Sequence, residues 1–194
     1  MRYFCRCDMR QQSFLPKLRT DHGGDLGRGR RKRARPFSHK NAIHVVFRSS
    51  RARGIWSLLT RGNEERVRRL LRDCATKHRI RVYRLVNVGN HIHLLIRTES
   101  RAYAAAKADF QRFLREFGGR VAFEVTGARK GAGQGGFWDK LVYTRLVTWG
   151  REFEGLKSYL VRNLLESFGF GREGPDWLRA VAESLMAAGV GPPS

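Results

Sequence analysis

The sequence predicts an α+β domain: a four-stranded antiparallel sheet with two helices on one face and one more helix to place. Three observations carry this. Alternating and helical hydrophobic segments follow one another in the order β-α-β-β-α-β-α. The two middle strands are separated only by a tight turn around Gly89, so they pair as a hairpin. The first six elements then match the split βαβ arrangement, ferredoxin-like or RRM-like, whose two helices share a face of the sheet. The seventh is a C-terminal helix bearing Tyr159, left to cover or rim the other face.

Each element has its own justification. Residues 1–39 lack hydrophobic periodicity, and "GGDLGRGRRKRARP" offers Gly and Arg with no apolar anchors, so this stretch reads as a disordered basic arm. Within it Arg28, Arg30, Arg31, Lys32, Arg33 and Arg35 abut the first folded segment and are placed to contact phosphates. The domain proper then runs over 40–170. "NAIHVVFRS" alternates, with Ile43, Val45 and Phe47 on one face and His44, Val46 and Arg48 on the other, the pattern of a strand. Asn63 is expected to cap a helix carrying Glu64 and Glu65 in its first turn and Lys77, His78 and Arg79 at its end, as the helix dipole favours. Val67, Leu70, Leu71 and Cys74 are its buried stripe.

"IRVYRLV" (80–86) and "HIHLLIR" (91–97) are the hairpin strands. Ser100 opens a second helix, in which Ala106, Phe110, Phe113, Leu114 and Phe117 recur at helical spacing until Gly118-Gly119, where it is expected to stop. "TGARKGAGQGG" (126–136) reads as a mobile loop that offers Arg129 and Lys130 to phosphate. Its G-x-G-x-x-G at Gly131, Gly133 and Gly136 has no strand before it or helix after it, which argues against a dinucleotide site. "FWDKLVYTRLV" (137–147) is the fourth strand and "REFEGLKSYLVRNLLESFGF" the third helix. Residues 171–194 form an extension with one short helix around Trp177–Met186.

Composition bounds the function. Of 194 residues, 39 are Lys or Arg and 17 Asp or Glu, a net charge of +22. The arm accounts for less than half of the excess, so the folded part is basic in its own right. That favours a polyanionic partner, nucleic acid above all, although a purely structural basic protein has the same composition. Three cysteines make no disulfide framework: Cys5 and Cys7 have no second pair for zinc, and Cys74 belongs to a core. No stretch is long and apolar enough to span a membrane, and the N-terminus lacks a signal-peptide core, so the expected location is cytoplasmic, at the nucleoid through DNA.

Two spacings bear on chemistry. His91 and His93 are two apart on a strand, so both point to one face while Ile92, Leu94 and Ile96 point to the other. Two imidazoles on one rigid strand are two corners of a metal site, or else a pair of surface histidines. On the third helix Phe153, Leu156, Leu160, Leu164 and Phe168 form the apolar stripe. Tyr159 and Asn163 sit one turn apart at its edge. A hydroxyl and an amide so placed can aim at one point above the sheet, or be a rim residue and a solvated amide.

The ordered set "GNHIHLLI", "FWDKLVYTRLV" and "LKSYLVRNLLESFGF" resembles the single-tyrosine HUH transposases, in particular the REP-associated tyrosine transposase branch, over roughly residues 40–170. The resemblance implies that Tyr159 is the catalytic nucleophile and that His91, His93 and Asn163 hold a divalent metal, Mg²⁺ or Mn²⁺. It implies a single-strand DNA endonuclease and transposase that cleaves and rejoins single-stranded or hairpin DNA through a 5′-phosphotyrosine intermediate. A monomer is expected, with a homodimer as the alternative. Members often carry Pro before the Asn-His-hydrophobe-His and after the helix Asn, where this chain has Gly89 and Leu164. Two other readings fit the same fold: a non-catalytic DNA- or RNA-binding protein, and a metal-independent RNA endonuclease with a general-base histidine. Chelator sensitivity and a DNA–tyrosine adduct separate the three.

Overall fold

The computed structural model describes residues 20–27, 34–128, 135–167 and 184. The expectations placed on Arg28, Arg30, Arg31, Lys32, Arg33, Arg129, Lys130, Phe168 and the helix near Trp177 lie outside the described residues. The elements are β1 (Asp21–His22), β2 (Ala42–Arg48), α1 (Arg61–Lys77), β3 (Ile80–Asn87), β4 (His91–Thr98), α2 (Tyr103–Thr126), β5 (Tyr143–Val147) and α3 (Arg151–Ser167). All strand pairings are antiparallel, in the order β1-β5-β2-β4-β3. Removing β1 leaves the expected four-stranded split βαβ sheet.

The sheet is covered on both faces, which explains its strand sequences. Ile43, Val45 and Phe47 of β2 and Ile92, Leu94 and Ile96 of β4 pack with Leu70, Leu71, Phe110, Phe113 and Phe117 of α1 and α2 in the main core. On the other face Val86, Leu95 and Val147 meet Phe153, Leu160, Val161 and Leu164 of α3. A central strand sandwiched in this way is apolar on both sides, so β4 reads as a nearly continuous hydrophobic run in which two histidines stand out. Each fully buried Leu, Ile or Phe contributes about 1.5–3 kcal/mol of burial free energy. Cys74 is buried in the main core, as its place on the helix predicts. No helix among the described residues is long and apolar enough to cross a membrane.

Several expectations about the chain's local structure are corrected. The arm expected over 1–39 is not uniformly free of structure. Asp21 and His22 pair with Arg145 and Thr144 of β5, making a fifth strand. Phe37 packs on the main core against Phe110 at 5.5 Å. Arg35, expected to contact phosphate, instead donates from Nη1 to the Val142 carbonyl at 2.9 Å and to Thr144 Oγ1 at 2.6 Å. The edge of β5 offers unpaired backbone groups, and the N-terminal segment satisfies them although it has no hydrophobic period.

Asn63 does not cap α1, whose first residue is Arg61. It lies in the first turn, buried, with Nδ2 donating to the carbonyls of Ile55 at 2.9 Å and Ser57 at 2.8 Å. It therefore ties down the preceding loop, not the helix end. Ser100 likewise lies outside α2 and donates to Asp109 Oδ2. Gly118 and Gly119 do not end α2, which continues to Thr126 and stops at Gly127 in the left-handed region (φ 65). Phe137 and Trp138 belong to the approach to β5 and not to the strand. Ser49 Oγ donates to the Phe137 carbonyl and Trp138 Nε1 to the Gly118 carbonyl, which anchors that approach in the core.

Candidate active site

Strand register gathers the polar side chains. In β2–β4 pairing Val46 lies opposite His93 and Arg48 opposite His91. In β2–β5 pairing Val46 lies opposite Tyr143 and His44 opposite Arg145. Because partners in register share a face, His44, Arg48, His91, His93, Tyr143 and Arg145 all rise on the side of the sheet that faces α3.

α3 crosses only part of that side. Its apolar side chains pack on Val86, Leu95 and Val147, and its flank leaves a cavity of about 490 Å³ lined by residues of β2, β4 and β5. The floor is His44, Val46 and His93. Tyr143 and Arg145 stand on one wall, and Glu152, Gly155, Leu156 and Tyr159 on the other. The sequence therefore brings the tyrosine of one helix and a histidine of one strand into a single space within one chain. Tyr159 is 45% exposed. His91 adjoins the cavity through His93, with ring centroids 4.8 Å apart, and Asn163 follows Tyr159 one turn further along α3. A second cavity of about 380 Å³ abuts the first across Val46 and Tyr143, and adds Arg48, Lys140 and the turn at Gly24.

Electrostatics suit a neutral donor set. Burial lowers the pKa of His93 to about 3, and neighbouring His44 and His91 add to the effect. Burial also lowers His44, to about 4, with Arg145 contributing. His91 is lowered by burial and by Arg48. All three rings are neutral at pH 7, the form that can donate a lone pair to a cation. Burial raises the Tyr143 phenol, and Asp21 raises it further, so Tyr143 keeps its proton. Arg145 is paired with Glu152, whose carboxylate also accepts from the backbone N–H and hydroxyl of Thr148.

Two orphaned atoms bear on whether these residues fit a metal. His93 Nε2 and Asn163 Nδ2 are both buried with no hydrogen-bond partner. Buried polar atoms are almost always paired, so His93 Nε2, on the cavity floor, is open to an outside partner, and Asn163 Nδ2 stands one turn beyond Tyr159 on α3. With no hydrogen bond holding Nδ2, the amide can turn over and present Oδ1 from the same position. His91 Nδ1 lies 2.6 Å from Asn90 Oδ1, which orients that ring through a second-layer contact. Two imidazoles and an amide suit a hard divalent cation only with water or phosphate oxygens completing its shell.

Of the site residues expected from sequence, Tyr159, His91, His93 and Asn163 fall on one side of the sheet, and Arg35 belongs to the fold. The spacing argument did not single out His44, Arg48, Tyr143 or Arg145. The signal for two of them was present: alternation in "NAIHVVFRS" puts His44 and Arg48 on the histidine face. The departures from the family pattern also have a structural side. Gly89 has φ 90, a conformation closed to proline, so this hairpin turn is built differently. Leu164 is buried in the α3 core, where a leucine packs and continues the helix.

No family model and no curated protein matches the chain. Among solved structures it resembles a REP-associated tyrosine transposase bound to a REP hairpin. That match has a TM-score of 0.50 and 9% identity, and covers 71% of this chain and 74% of that one. A candidate transposase from Deinococcus radiodurans R1 is similar at a TM-score of 0.39 with 18% identity, over 69% of this chain and 98% of that one. The first likeness establishes the fold.

Proposed function

We propose that the chain is a DNA strand-transfer enzyme that cleaves and rejoins single-stranded or hairpin DNA through a covalent 5′-phosphotyrosine at Tyr159. The observation that carries this reading is the cavity shared by Tyr159 and His93, in which His93 Nε2 is buried with no hydrogen-bond partner. The solved neighbour of the same fold is a tyrosine transposase bound to a REP hairpin, which supports a nucleic-acid partner of that kind.

In this reaction the Tyr159 phenol loses its proton and its oxygen bonds to phosphorus. The P–O3′ bond breaks, the 3′ oxygen takes up a proton, and the phosphate stays on the 5′ side joined to the tyrosine. Attack by a 3′ hydroxyl reverses the step, so rejoining needs no external energy source. His91, His93 and Asn163 would hold Mg²⁺ or Mn²⁺, which when bound polarises a phosphate oxygen and stabilises the charge that develops. Because all three ligands are neutral, they leave the cation's charge undiminished for the phosphate. Arg48, exposed and across from His91, is placed to pair with a backbone phosphate, and the basic residues Arg28–Arg33, Arg129 and Lys130 add to affinity.

The metal-free ribonuclease alternative needs a histidine that takes up a proton near neutral pH. Burial makes His44 and His93 weak bases, and His91 is shifted the same way, which counts against that reading. The test is a labelled single-stranded oligonucleotide pool incubated with protein and Mn²⁺, then denatured and resolved for covalent protein–DNA species. Tyr159→Phe is expected to lose the adduct while DNA affinity stays within about threefold, since phosphate contacts dominate it. Tyr143→Phe, the other phenol in the cavity, is expected to keep the adduct. An adduct that persists in Tyr159→Phe and vanishes in Tyr143→Phe moves the nucleophile to the strand.

A further inference from the structure

One residue of the cavity floor has no part in the reaction as described so far. His44 of β2 is 7% exposed, and its ring lies nearly parallel to that of His93, at 9° with centroids 5.3 Å apart. Its Nε2 is 3.0 Å from His93 Nδ1. His93 is 5% exposed, and its other nitrogen, Nε2, has no partner.

A single proton occupies the 3.0 Å contact, and two placements are possible. If His44 Nε2 donates, the neutral His93 ring must carry its own proton on Nε2, which buries an N–H with no acceptor. If His93 Nδ1 donates, Nε2 is a bare lone pair. The second placement alone leaves a nitrogen able to bind a cation, and it avoids an orphaned buried donor.

We propose that His44 is a positioning residue: it accepts a hydrogen bond from His93 Nδ1 and so holds His93 in the tautomer that presents the Nε2 lone pair to a divalent cation. The value of that tautomer rests on the metal reading above; the hydrogen-bond direction does not. A second-layer acceptor for a metal-binding histidine is commonly a carboxylate or a carbonyl. A carboxylate at position 44 would bring negative charge to the floor of a site that must receive phosphate. A neutral imidazole gives the same orientation without that charge. The nearly coplanar, edge-to-edge contact fixes the plane of the His93 ring as well as its proton, and Tyr143, edge-on to His44 at 6.1 Å, backs it from β5.

The experiment uses the full, metal-free chain with ¹⁵N-labelled histidine at pH 7.5 and reads both ring nitrogens by long-range proton–nitrogen correlation. The expected result is His93 protonated on Nδ1 and bare on Nε2, and His44 protonated on Nδ1. His93 found as the Nε2–H form overturns the proposal and leaves the metal reading intact. Mn²⁺ affinity, measured by calorimetry, is expected to fall about 10- to 100-fold in His44→Phe, the range typical of lost second-layer partners. His44→Gln, which restores an acceptor, is expected to recover most of that loss. A Phe variant that binds Mn²⁺ as tightly as the wild-type chain also overturns the proposal. A wild-type chain that binds no Mn²⁺ overturns the metal reading, while the tautomer measurement still decides the role of His44.

Discussion

Two adjacent glycines in α2 are expected to respond differently to the same substitution. An alanine Cβ built at Gly118 would lie 2.9 Å from Phe47 Cε1 and 3.5 Å from Trp138 Nε1. Phe47 has nowhere easy to go: it is 1% exposed and packed against Phe117 and Trp138, with ring centroids 5.4 and 5.2 Å away. At Gly119 the same Cβ meets nothing within 4 Å. Both positions are inside a helix, where Ala is favoured over Gly by about 1 kcal/mol. Gly119→Ala should therefore stabilise the protein by roughly that amount. Gly118→Ala gains the same amount but overpacks the core, at a cost of about 1–3 kcal/mol. The propensity gain cancels in the comparison, so the two variants should differ by about 1–3 kcal/mol. Urea unfolding of each full-length variant, with an unchanged dependence on denaturant, measures that difference. Equal stabilities for the two would show that the Phe47–Phe117–Trp138 layer yields freely, and would remove the reason offered here for a glycine at 118.

Mild acid should destabilise the fold through its buried histidines. Below pH 6.5 the unfolded chain protonates His44 and His93 while the folded chain, with these groups at about 4 and about 3, does not, so stability falls as pH falls. Between pH 7.5 and 5 the expected loss is on the order of 2 kcal/mol per histidine; Glu116, held low by Lys77 and His78, and Glu152, held low by Thr148 and Arg145, add theirs only at lower pH. Urea midpoints that are flat across pH 7.5–5 would contradict the burial of the pair. Arg35→Ala should cost about 1.5–3 kcal/mol through its charged hydrogen bonds to Val142 and Thr144; an unchanged melting temperature would show that the N-terminal segment is not tied to β5. His91→Ala/His93→Ala should abolish cleavage, as should excess EDTA, and activity surviving either would refute the metal site. Mixing that double variant with Tyr159→Phe should not restore cleavage, because one chain's Tyr159 and His93 line the same cavity; restoration would show sites shared between subunits.

The order of elements and the faces of the strands were legible because periodicity records burial. Ile43, Val45 and Phe47 alternate with His44, Val46 and Arg48 in the sequence, and they separate onto opposite faces of the sheet. What failed was local: Asn63 and Ser100 as helix starts, and Gly118-Gly119 as a helix stop. In each case a tertiary partner outweighed the local preference. Asn63 serves two loop carbonyls, Ser100 serves Asp109, and Gly118 makes room for Phe47. Asn63 and Ser100 find their partners within nine residues, and only Phe47 is far in sequence from the glycine that accommodates it. β1 was invisible for another reason. Two residues have no period, and their stability comes from the open edge of β5, far along the chain.

The site shows the same division. Spacing put His91 and His93 together on one strand and Tyr159 and Asn163 together on one helix, while their expected roles came from the resemblance. His44, Tyr143 and Arg145 come from two other strands, and only the inter-strand register unites them with His93. Register depends on which residues pair, and a slip of one would turn all three away from the histidine face. Here the pairing is set by the main core, since Ile43, Val45 and Phe47 must meet Ile96, Leu94 and Ile92 beneath the helices. The same contacts that bury those six side chains on one face bring His44 within 3.0 Å of His93 on the other. Packing on the helical side thus determines the arrangement of the polar groups on the histidine side, and a substitution that shifted β2 against β4 would disrupt the candidate site without touching any residue in it.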